Sequence, residues 1–95
     1  MGILNDVKMV VEEILKNFGN VVLDDIDYGS DAPTDSGKEI QIDLFPKDYG
    51  RSSYDVERYY EDCRNIYYMI SAIVPHDVSC DIDVGSSWNF IYVIL

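Results

Sequence analysis

Basic residues are what this chain has least of: seven Lys and Arg stand against eighteen Asp and Glu, for a formal charge of −11. Such a polyanion repels phosphate backbones and anionic membrane surfaces, so direct binding of DNA, RNA or a membrane is not expected. Histidine is almost missing, and the one His76 follows Pro75 in a polar turn, where a solvated loop histidine is expected and not the base of a triad. Only two cysteines occur, Cys63 and Cys80, both at positions expected to face a core and to stay reduced. Glu61 and Asp62 beside Cys63 also deny it the electropositive setting of a reactive thiolate. Zinc spacing, a glycine-rich phosphate loop and a long heptad repeat are all lacking, so no cofactor, metal or coiled-coil partner is implied. Met1 to Phe18 carries no basic leader joined to a continuous apolar run, which leads to the expectation of a cytosolic protein. Gly2 does not complete a myristoylation pattern, because Asp6 stands where Ser or Thr is required.

What the chain does have is ordinary globular material: 95 residues, of which 47% are hydrophobic and 26% charged. Residues 1–95 are expected to form a single domain around one core. Val7, Val10, Val11, Ile14, Leu15 and Phe18 recur at helical spacing between a capping Asn5 and a stop at Gly19. Val21 to Tyr28 is rich in β-branched residues and runs into the turn formers Gly29 to Gly37, a strand followed by a loop. Lys38 to Phe45 alternates Ile40, Ile42 and Leu44 with Glu39, Gln41 and Asp43, as a half-buried strand does. A second helix is expected from Ser52 or Ser53 to Pro75, with Val56, Tyr59, Tyr60, Cys63, Ile66, Tyr67, Ile70, Ile73 and Val74 as its buried stripe. Val78 to Val84 alternates again, and Gly85-Ser86-Ser87 turns it into Trp88 to Leu95. That final segment is apolar on both faces, so it is expected in the centre of the sheet or in a homodimer interface.

The order helix, strand, strand, helix, strand, strand points to an α+β fold: a four-stranded, mainly antiparallel sheet with both helices packed on one face. Asp25-Ile26-Asp27-Tyr28-Gly29-Ser30 is echoed by Asp81-Ile82-Asp83-Val84-Gly85-Ser86, the mark either of a duplicated unit or of hairpin chemistry that two turns share by chance. The charge is also uneven, because residues 20–62 carry twelve acids and four bases. Asp25-x-Asp27 with Asp31 and Asp35 has the oxygen donors of a calcium loop, but its glycine and distal Glu are misplaced or missing.

Alternation places Asp25, Asp27, Glu39, Asp43, Asp81 and Asp83 on the sheet face away from the helices, edged by aromatics that include Trp88. These seven residues are the expected partner-binding set. Of the other aromatics, Tyr59, Tyr60 and Tyr67 are expected in the core and Tyr49, Tyr54 and Tyr68 at the surface. Outward residues two apart on a strand are spaced about 6.5–7 Å, close to successive phosphates, so Asp25 with Asp27 and Asp81 with Asp83 can stand in for phosphate pairs. In size, pI and composition the chain resembles the small acidic inhibitors with which phages block restriction or CRISPR nucleases, and the immunity proteins with which bacteria block nuclease toxins. That resemblance implies a non-enzymatic inhibitor acting in the host cytoplasm on a basic, nucleic-acid-binding protein. The alternative is a structural or assembly module whose acidity serves only solubility.

Overall fold

Helical spacing of Val7, Val11, Ile14 and Leu15 becomes helix α1, Ile3–Leu15, in a computed structural model that describes residues 3–28, 39–74, 78–84 and 87–94. The helix begins before Asn5, which is exposed in the first turn and does not cap it. Leu4 is a strong helix former and carries the helix back past that position. After a turn closed by the Asn17 and Phe18 amides on the carbonyls of Ile14 and Leu15, strand β1 runs over Val21–Tyr28 and β2 over Glu39–Pro46. The segment Gly29–Gly37 expected as a loop, with Asp31 and Asp35, lies outside the described residues, as do Lys38, expected to open the second strand, and His76.

Helix α2 spans Val56–Ile73 and is capped by Asp55, whose Oδ1 accepts the amides of Glu57 at 3.1 Å and Arg58 at 3.2 Å. The expected caps Ser52 and Ser53 sit in the preceding turn. A carboxylate is the better occupant, since it satisfies two orphan amides and places negative charge at the positive end of the helix dipole. Tyr59, Cys63, Ile66 and Ile70 form the buried stripe, whereas Val56 and Ile73, expected within it, are exposed. An 18-residue helix is about 27 Å long and a six-residue strand about 20 Å, so the two ends of the stripe overrun the sheet that covers its middle.

Strands β3, Ser79–Val84, and β4, Asn89–Ile94, complete an antiparallel sheet of order β1-β2-β4-β3. The fold is therefore α+β, with β4 central between β2 and β3. Its two apolar faces follow from that position: Ile91 and Val93 are buried under the helices, and Phe90, Tyr92 and Ile94 are half-buried on the other side. Order and register fit two α-β-β units related by a pseudo-two-fold between β2 and β4, which exchanges Asp25 with Asp81 and Asp27 with Asp83.

Between helices and sheet lies one core, built on Val11, Ile14, Val21, Ile40, Ile42, Leu44, Ile66, Ile70, Ile91 and Val93. α2 is tied to it by two phenols. The Tyr59 hydroxyl lies within hydrogen-bond reach of the carbonyls of Leu44, at 3.0 Å, and of Ser87, and Tyr67 donates to the carbonyl of Cys80 at 3.2 Å. Asn89, fully buried, lies beside the Tyr59 and Cys63 side chains. Burial raises the Tyr59 hydroxyl well above its usual value and pushes the Cys63 thiol up to about 12. Both thiols are free. Cys80, expected to be buried, is only half so because it belongs to an edge strand.

Candidate partner-binding face

The sheet face opposite the helices depends on a single irregularity in β1. Val21 and Leu23 have the parity of Asp25 and Asp27, so a regular strand would bury the aspartates together with the hydrophobics. The register instead shifts between Leu23, opposite Leu44, and Asp25, opposite Asp43. Asp24 is the extra residue of a β-bulge, which turns the second half of the strand over. Leu23 and Ile26 pack on the core, and Asp25 and Asp27 emerge exposed on the open face.

Two rows then cross the sheet. Asp25, Asp43, Phe90 and Asp83 are successive partners in one, and Asp27, Gln41, Tyr92 and Asp81 in the other. The aromatics thus run down the middle of the face with aspartates on both sides, not along its border as expected. Asp25 and Asp81, equivalent under the pseudo-two-fold, make the same local contact: each Oδ1 accepts the next residue's amide, Ile26 at 2.9 Å and Ile82 at 2.8 Å. Asp43 accepts from the Gln41 amide at 2.8 Å. Its carboxyl is nevertheless held above the usual range, first by burial and then by the charges of Asp25 and Asp24. The Tyr92 hydroxyl is raised likewise, by burial and then by Asp83, Glu39, Asp43 and Asp81.

Of the expected set, Asp25, Asp27, Asp81 and Asp83 are exposed and Asp43 is half-buried on this face. Glu39 shares it by register but is only 5% exposed and is not presented at the surface. Trp88 is 47% exposed at the end of the face, packed on Phe45 at 4.7 Å with its indole N–H donating to Asp24 Oδ2 at 3.1 Å. Phe45 also meets the exposed Tyr49 at 5.2 Å. Tyr54, expected at the surface, is half-buried between Tyr49 and Tyr59. Strand alternation does not point to Asp24, because only the bulge brings it to Trp88, and the parity conflict in β1 is the signal that the sequence offers.

Charge is segregated by layer. Among the described residues the four strands hold Asp24, Asp25, Asp27, Glu39, Asp43, Asp81 and Asp83 and no Lys or Arg. The cations of the described residues sit on the helices and their turns: Lys8 and Lys16 near α1, Lys47 and Arg51 before α2, Arg58 and Arg64 on it. The one ion pair among the described residues, Lys16 with Glu13 at 3.0 Å, is fully on the helical side. Lys8 shares a shallow depression with Asp24 and Asp25 at the sheet edge but makes no ion pair with them. Among the described residues no three His, Cys, Asp or Glu side chains converge to hold a metal ion, and no helix is long and apolar enough to cross a membrane. No protein-family model, curated protein or solved structure matches this chain.

Proposed function

We propose that the chain is an acidic protein inhibitor that occupies the nucleic-acid-binding surface of a basic protein, its open sheet face standing in for a phosphate backbone. The observation that carries this is the segregation of charge: among the described residues, seven carboxylates and no cation on the strands, against interleaved charges of both signs on the helices. Acidity that served only solubility has no need to leave one layer without cations, where like charges on adjacent strands oppose each other. A rigid sheet holds Asp25 and Asp27, and likewise Asp81 and Asp83, about 6.5–7 Å apart, the pitch of successive phosphates. A groove of Lys and Arg would meet that field with complementary potential and fast, salt-sensitive association. Inhibition here is occupancy, without catalysis.

The test is capture from a host lysate on immobilised protein, eluted with rising salt, followed by competition between the chain and duplex DNA for what elutes. Basic nucleic-acid-binding proteins that release DNA as the chain is added are the expected outcome. A captured set without charge bias, or one retained by a variant with Asp25, Asp27, Asp81 and Asp83 changed to Asn, would refute it.

One observation favours an assembly module instead. The helical side exposes Met9, Tyr68, Met69 and Ile73, apolar surface suited to self-association into a homodimer. Sedimentation across a range of concentrations distinguishes the two, since an obligate dimer through the helices would leave the sheet face as mere solvated exterior.

A further inference from the structure

One corner of the open face combines three things: an exposed indole, a second exposed ring and a fixed carboxylate. Trp88 is 47% exposed and Tyr49 53% exposed, joined through Phe45 with ring centres 4.7 and 5.2 Å apart. The indole N–H holds Asp24 Oδ2 at 3.1 Å, which fixes a negative charge beside the ring. Neither Asp24 nor the nearby Asp25 forms an ion pair with a Lys or Arg among the described residues. Leaving a Trp in water forgoes a large apolar gain, and Trp at surfaces is the residue most enriched where partners dock.

Building on the proposed docking of a basic protein, on which this step rests, we infer that the Trp88–Asp24 corner seats an arginine side chain of that partner. The guanidinium is planar and weakly hydrated, so it stacks on an aromatic face while its N–H fork meets a carboxylate. The lysine ammonium is compact and strongly hydrated and gains only the charge. The corner therefore reads arginine against lysine, whereas the aspartate rows on the strands respond to either cation.

The experiment uses nona-arginine and nona-lysine peptides against the whole chain, with the emission of its one Trp and the anisotropy of labelled peptide as readouts. At a salt concentration of about 150 mM, nona-arginine should bind about ten-fold more tightly than nona-lysine and shift the Trp88 emission. Trp88→Leu and Asp24→Asn, the latter keeping an oxygen acceptor for the indole, should each bring the two affinities together while salt-sensitive binding persists. Should Trp88→Leu fail to fold, Asp24→Asn carries the comparison alone. Equal affinities in the parent, or a preference that survives Asp24→Asn, would overturn the arginine seat and leave the acidic-inhibitor proposal standing. Failure of both peptides to bind would overturn the two together.

Discussion

Asp25 and Asp43 face each other across the antiparallel β1–β2 ladder, with Asp24 beside them at the bulge. Like charges directly opposite on adjacent strands destabilise a sheet, and neither aspartate has an ion-pair partner among the described residues. The strain shows in Asp43, whose carboxyl is raised by burial and then by Asp25 and Asp24, against the lowering contact with Gln41. A fold that keeps this arrangement gives up stability to concentrate negative charge on one face.

The folded protein binds the Asp43 proton more tightly than the unfolded chain does. The stabilisation this group supplies is complete below its ordinary value and is lost as pH rises through its folded one. Asp43→Asn, which keeps an acceptor for Gln41, should therefore raise the melting temperature at neutral pH. The parent's melting temperature should also climb as pH falls from neutrality towards the ordinary carboxylate range, and the variant's less steeply. A lower melting temperature for the variant at neutral pH would show that the opposed pair is compensated.

Screening should act in the same direction. Added salt shortens the reach of repulsion to about 8–10 Å at physiological strength, so the melting temperature should rise between about 20 and about 300 mM sodium chloride. A flat or falling trend would mean that the carboxylates of the sheet do not interact appreciably.

Period-two alternation in Glu39–Pro46 and Ser79–Val84 made the acidic face legible in the sequence, because side-chain period alone decides which residues share a face. The unbroken apolar run of β4 told as plainly of a central strand. Helix ends were less legible, since Asn5, Ser52, Ser53 and Asp55 are all competent caps and local chemistry does not rank them without the turn geometry around them. Burial of Glu39 and the contact of Trp88 with Asp24 depend on segments distant in sequence, 64 residues apart in the second case. No periodicity encodes such contacts. The bulge at Asp24 lay between these extremes, visible as a clash of parity between Val21 and Leu23 on one side and Ile26 on the other.

The phenol of Tyr59 should matter more than its single oxygen suggests. Tyr59→Phe removes the one hydroxyl donor within reach of the carbonyls of Leu44 and Ser87, a cost of about 1–3 kcal/mol. In a domain of this size the melting temperature should fall by about 4–8 °C per kcal/mol. A change within about 0.5 kcal/mol, typical of an uninvolved surface site, would show that the hydroxyl does not anchor α2 to the sheet.

Cys63 offers a chemical check on the same region. With its thiol pushed up to about 12 by burial, almost none is thiolate at a pH of about 8. In a Cys80→Ser background, which leaves Cys63 as the only thiol, Ellman's reagent should react on the timescale of unfolding. Immediate stoichiometric reaction of the native protein would contradict its burial between α2 and the sheet.

The central claim, that the open sheet face engages a basic partner electrostatically, is tested most directly by association rate against ionic strength. The partner is the protein that elutes with salt, and the parent is compared with a variant carrying Asp25, Asp27, Asp81 and Asp83 changed to Asn. Asn keeps the Oδ1 acceptors used by the amides of Ile26 and Ile82, so the fold should persist or gain slightly from reduced repulsion. The predicted result is slower association together with a shallower dependence on salt. Unchanged rates with an unchanged slope would contradict the claim.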